Sequence, residues 1–166
     1  MNSTIYLANT NLDIGTTKSG TTLVGGNITA STAQSISFRA NGTGAVTDSG
    51  NIGASGSNIA ISNVGTSTGG VTLSGSLGTS VTSVTQNSST SALTLSGANS
   101  YTGATNVTTG TLTLSGSINA SSALTLGGGS NAVTLNYTKA GTNTQTFAST
   151  TLNSGFSTLS NTTATN

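Results

Sequence analysis

Five side chains in the 166 residues carry charge at neutral pH: Asp13, Asp48, Lys18, Arg39 and Lys139, with no Glu, His or Cys anywhere. Acid–base cleavage of a sugar needs paired carboxylates at one bond, and metal-assisted hydrolysis needs clustered His, Cys, Asp or Glu. Asp13 and Asp48 are the only acids, 35 positions apart, which leaves a polysaccharide-degrading activity the weakest reading. Asp48-Ser49-Gly50 reads as turn chemistry, so both acids are expected to be solvated turn residues. A hard cation wants about six to eight oxygens including several carboxylates, and the Gly-Gly-x-Gly-x-Asp repeat of calcium-binding rolls is absent. The triple glycine Gly127-Gly128-Gly129 lacks the Gly-Lys-Ser/Thr ending and following helix of a phosphate loop. No catalytic, cofactor-binding or metal residue is assigned, no cofactor is expected, and the chain is expected to be non-catalytic.

The elements that would position any site must work with very little. Charged residues are 3% of the chain, against about a quarter in ordinary domains. A net charge of +1 gives no field to steer nucleic acid or anionic lipid. No apolar run approaches the ~20 residues of a membrane-spanning helix, and residues 1–15 lack the basic and apolar regions of a secretory signal. Hydrophobic residues make up 32%, too few for a two-layer core of this length. Disorder normally goes with high net charge or abundant proline, and proline is absent. The composition therefore implies a fold needing few apolar residues per turn, with a makeup that suits an extracellular or cell-surface setting.

A short strand cassette alternates apolar residues with a hydroxyl: Val71-Thr72-Leu73, Leu93-Thr94-Leu95, Leu112-Thr113-Leu114, Leu124-Thr125-Leu126 and Val133-Thr134-Leu135. Looser versions stand at Leu12-Asp13-Ile14, Ile36-Ser37-Phe38 and Ile59-Ala60-Ile61. Each sends two apolar side chains to one face and one residue to the other. Three run into Ser-Gly, at Gly75, Gly97 and Gly116, giving a period of about twenty residues. Corners are expected at Gly25-Gly26-Asn27, Asn41-Gly42, Gly69-Gly70, Gly127-Gly128-Gly129 and Gly141-Thr142-Asn143. No segment has the apolar spacing of a helix. The reading is one all-β domain over residues 1–166, a β-solenoid of about seven to eight coils of roughly 20 residues. An antiparallel sandwich is the rival fold.

Residues 92–116 closely resemble the autotransporter-associated β-strand repeat, also called the passenger-associated transport repeat. The resemblance rests on Leu93, Leu95, Ser96, Gly97, Asn99, Tyr101, Thr102, Gly103, Thr105, Val107, Gly110, Thr111 and Leu112 in order. It covers one copy and part of the next, while residues 1–63 share only the style. It implies a right-handed parallel β-helix of a bacterial surface passenger, acting as a rigid stalk. The tail, residues 161–166, offers none of the alternating lipid-facing strands of an outer-membrane barrel.

Neither Thr4-Ile5-Tyr6-Leu7-Ala8 nor Gly155-Phe156-Ser157-Thr158-Leu159 carries the Lys, Glu or Pro that usually guards a strand edge. Head-to-tail self-association into a fibre, or contact with neighbouring repeats of a longer surface protein, is the expected partnership. Outward Thr such as Thr109, Thr111 and Thr113, or Thr144 and Thr146, suggest ice or carbohydrate contact, although the cassette spacing wanders. Tyr6, Tyr101, Tyr137, Phe38, Phe147 and Phe156 are scattered and expected to pack inward or at corners. Asn-x-Ser/Thr sequons, Asn2 among them, are as frequent as the Ser and Thr content dictates.

Overall fold

A computed structural model describes residues 4–162; the Asn2 sequon and the tail beyond Thr162 lie outside the described residues. The chain winds through about seven stacked coils, and every strand pairing is parallel. The first coil is β1 (Thr4–Leu7), β2 (Leu12–Thr16) and β3 (Thr22–Val24), the second β4 (Asn27–Ala30), β5 (Gln34–Ala40) and β6 (Val46–Asp48). The third is β7 (Ile52–Gly56), β8 (Ile59–Asn63) and β9 (Val71–Leu73), the fourth β10 (Val81–Asn87) and β11 (Leu93–Leu95). A single bent strand, β12 (Ala104–Leu114), serves the fifth, followed by β13 (Ala123–Leu126) and β14 (Val133–Tyr137), then β15 (Ser149–Leu152) and β16 (Ser157–Asn161).

Three faces result. β1, β4 and β7 make the first; β2, β5, β8, β10, the start of β12, β13 and β15 the second; β3, β6, β9, β11, the end of β12, β14 and β16 the third. After β7 the first face thins to the isolated bridges Ile52 with Leu77 and Ala98 with Ser117. The parallel pairing excludes the sandwich.

Coils average about 23 residues rather than twenty. The shorter period comes from the narrowest coils: Leu93 stacks on Leu112, whereas Ile36 stacks on Ile61, a visibly longer step along the chain. Extra residues sit in corners, so strand register survives. Residues 1–63, where the cassette is loose, join the same stack through Leu12, Ile36 and Ile61.

The Ser-Gly ending has a steric origin. Gly26, Gly50, Gly75, Gly97 and Gly116 form a column at the corner after the third face, where a Cβ would collide with the carbonyl oxygen of the glycine one coil earlier. At the corner between β13 and β14, Gly127 and Gly128 adopt φ of +89° and +133°, a region other residues rarely enter. Inside runs one aliphatic spine from Leu7 to Leu135, including Ile36, Phe38, Leu73, Leu95 and Leu112, all essentially buried. A few inward residues per strand suffice because the backbone is paired to the coils on both sides.

Candidate functional site: charged residues, threonine column and open ends

The five charges are dispersed. Asp13 and Arg39 project outward from the second face, where Arg39 Nε donates to Asp13 Oδ1 at 2.7 Å, both side chains largely exposed. Asp48 belongs to the third face and points inward, in register with Leu73. The two acids thus occupy different faces, and the described residues hold no group of three or more His, Cys, Asp or Glu.

Asp48 corrects the expectation of a solvated turn residue. The turn bond is present, Gly50 N–H donating to Oδ1 at 2.8 Å, but the carboxyl is fully buried and Oδ2 has no partner among the described residues. The alternation that directs Val46 and Leu73 into the spine leaves Asp48 no outward option. Loss of water raises its pKa to about 6, with the Gly50 hydrogen bond pulling the other way.

The residues carrying the repeat resemblance sit where the first face narrows. Asn99 Oδ1 accepts from Leu77 N–H at 2.9 Å, and its Nδ2 donates to Gly97 O and Ser117 O, so one side chain ties three coils. Tyr101 is fully buried, with its hydroxyl 2.8 Å from Thr105 Oγ1, which in turn meets Ser122 Oγ. Burial pushes the phenol above its ordinary range, the Thr105 contact opposing. Sequence reading misses a second buried polar group, at the corner between the second and third faces. There Asn63 Nδ2 donates to Gln86 Oε1 and Ser91 O, both at 2.8 Å, and Gln86 Nε2 donates to Ser88 O and Ser91 O. An amide at the inward end of β8 and another one residue before the end of β10 are the available signal.

Spacing that wanders in sequence becomes a straight column in space. Thr47, Thr72, Thr94 and Thr113 are in direct register on the outward side of the third face. Ser49, Ser74, Ser96 and Ser115 run beside them, continuing the ladder through their N–H groups. Among the described residues the four Thr hydroxyls make no protein hydrogen bond, whereas Thr66, Thr82 and Thr108 donate to the preceding coil. Of the alternation expected at residues 109–113, Thr109 turns inward, while Thr144 and Thr146 lie outside any strand.

At the two ends backbone is unpaired among the described residues. β1, β2 and β3 pair only with β4, β5 and β6; β15 and β16 pair only with β13 and β14. In the seventh coil Leu152, Phe156 and Leu159 are 67%, 74% and 70% exposed. Phe156, expected to pack inward or at a corner, presents its ring to solvent because it stands one residue before inward Ser157, on the outward side of the third face, where its counterpart Ala132 is exposed too. A cavity of about 770 Å³ opens at this end, lined by Leu124, Leu126, Leu135, Leu152 and Leu159 among its apolar residues and by polar ones such as Thr150 and Ser157. On the first face the seventh coil has no strand; the Gln145 amide pairs instead with the Ile118 main chain, accepting from its N–H at 2.9 Å and donating to its carbonyl at 2.8 Å. At the opposite end Tyr6 and Leu23 are exposed, against the expectation of inward packing for Tyr6, and Ile5, Leu12 and Val24 are partly so.

Fold and ends together define a parallel β-solenoid with a buried, mainly aliphatic spine. No family model, curated protein or solved structure matches this chain.

Proposed function

We propose that the chain is a non-catalytic structural protein of the bacterial cell exterior, a solenoid building block of a surface fibre, filament or adhesin stalk. The observation that carries this reading is the continuous stack of parallel coils, whose unpaired strands at either end suit the addition of further coils. Rigidity comes from shared amide pairing along the whole axis, and the near absence of charge leaves little to oppose contact between stacks. The resemblance of residues 92–116 to passenger repeats supports the extracellular setting, and the register of Leu93 and Leu95 with Leu112 and Leu114 is consistent with it. Electron microscopy of the purified protein tests the reading. Rods rising about 4.8 Å per coil, extending by whole subunits as concentration increases, are expected; compact particles without a rod axis overturn it.

A second reading is favoured by the threonine column. Four aligned hydroxyls with no protein partner among the described residues, spaced by the coil rise and flanked by serines, form an uncharged row suited to ice or to an extended carbohydrate. Thr72→Lys together with Thr94→Lys would abolish such binding without touching the spine. Unchanged retention on ice and on insoluble polysaccharide would remove this reading.

A further inference from the structure

We infer that the cavity at the seventh coil is filled by the first coil of a second copy, β2 settling on β15 and β3 on β16, so that copies add head to tail. This rests on the structural reading above and specifies its partner and register.

The first support is direction. All pairings are parallel and all coils climb the same way, so the free edges of β2 and β3 face one end of the axis and those of β15 and β16 the other. Translation along the axis, with whatever small twist the stack carries, brings them together. Such a contact is heterologous and does not close, so it propagates.

Register is the second. Inward residues of the seventh coil are Thr150, Leu152, Ser157 and Leu159, continuing Leu124, Leu126, Val133 and Leu135. Inward residues of the first coil are Leu12, Ile14, Thr22 and Val24, in line with Ile36, Phe38, Val46 and Asp48. Along the chain's own columns Leu12 aligns with Thr150 and Ile14 with Leu152, while Thr22 aligns through Val46, Val71, Leu93, Leu112 and Leu135 with Leu159, and Val24 with Asn161, so axial translation sets Ile14 on Leu152 and covers Leu159 with Thr22. A slip of one residue on the second face would turn Asp13 into the spine, which one-sided burial forbids.

Corner length is no obstacle. Thr150 to Leu159 is only slightly shorter than Leu12 to Thr22, and within the chain Thr105 to Leu112, shorter than either, lies directly against the longer Leu124 to Leu135. Charge is no obstacle either: β15 and β16 carry none, and the first coil's strands carry only the outward Asp13. On the first face Gln145 already occupies the Ile118 main chain, so the joint is carried by the other two faces.

The absence of native Cys makes the test direct. In the full chain, Asp13→Cys with Thr151→Cys places thiols on adjacent outward positions of the second face, and Leu23→Cys with Ser160→Cys does so on the third. Neighbouring strands about 4.8 Å apart lie within disulfide reach. Mild oxidation is expected to give a ladder of covalent multimers from each matched pair, and none from the crossed pair Leu23→Cys with Thr151→Cys. Leu159→Lys, at an exposed position, is expected to keep the β circular dichroism and reduce multimers at least tenfold in sedimentation. Rods that extend without cross-linking at the matched pairs, or that cross-link equally in the crossed pair, overturn this register while leaving the structural reading intact. A folded wild-type chain that stays monomeric at millimolar concentration overturns the joint itself; loss of the rod shape would instead overturn the reading on which it rests.

Discussion

Leu93, Leu112, Leu135 and Leu159 stand one above another at the same inward position of the third face. Leu93 is fully buried and Leu159 is 70% exposed. Both are leucines set between small residues, Ala92 and Thr94 in one case, Thr158 and Ser160 in the other. The difference is therefore not a matter of residue type or strand propensity. In a stack, a side chain becomes core only when a coil lies on each side, so stability divides into what a coil contributes and what each interface contributes. The fourth coil has two interfaces. The seventh has one, paired through strands on the second and third faces and fastened on the first by the Gln145 amide.

The sharpest way to break that comparison is the same truncation at both places. Leu93→Ala is expected to destabilise by about 4 kcal/mol, in the upper part of the range for buried leucines, because backbone paired on both sides cannot collapse into the void. Leu159→Ala is expected to stay below about 1 kcal/mol in dilute solution, since its side chain is mostly in water already. Urea midpoints at low protein concentration measure both. Equal losses would mean that the end coil is covered and the contrast is false.

Asp48 is the place where the buried middle departs from its own rule, an acid in register with Leu73. Its folded pKa of about 6 lies above the ordinary 3.8, so the folded chain binds the proton more tightly than the unfolded one. Stability is therefore greatest below about pH 4, falls as pH rises from 4 to 6, and levels off above; the difference between the two pKa values corresponds to about 3 kcal/mol. Asp48→Asn, which preserves the acceptor for Gly50, is expected to flatten that slope. Urea unfolding from about pH 3.5 to about pH 7.5, a window set by the same two values, measures it; a wild-type chain whose midpoint is constant or rises through pH 4 to 6 contradicts the buried carboxyl.

Much of this architecture is legible in sequence because it is repetitive. The Val/Leu-Thr-Leu cassettes mark strands and an inward face, and Ser-Gly marks corners whose glycines turn out to stack one against another. Coil length reads short because the clearest cassettes belong to the narrowest coils, and corner residues, which absorb the difference, leave no periodic trace. Asp48 misleads for a related reason. Asp-Ser-Gly does form its turn, but whether an acid points out or in depends on alignment with Val46 and Leu73, which a local motif does not encode. The column of Thr47, Thr72, Thr94 and Thr113 hides likewise, since the steps between its members shrink along the chain and look irregular until registered. Asn63, Gln86 and Gln145 are invisible because a buried amide and an exposed one are written with the same letter.

The surface charges give the smallest and last contrast, with Asp48 as its counterpart. Asp13 and Arg39 make a well-formed contact at 2.7 Å, but their side chains are 61% and 43% exposed, so water and salt screen the attraction. Arg39→Gln is expected to shift stability by no more than about 0.5 kcal/mol, with the difference vanishing in molar salt. Chemical denaturation with urea at low and high ionic strength measures it. A larger, salt-independent loss would mean that the Arg39 stem, lying along the second face, supports the ladder by packing rather than by charge. The same ion pair would then count as structural, and the division between a buried, charge-intolerant spine and an indifferent wet surface would have to be redrawn at that coil.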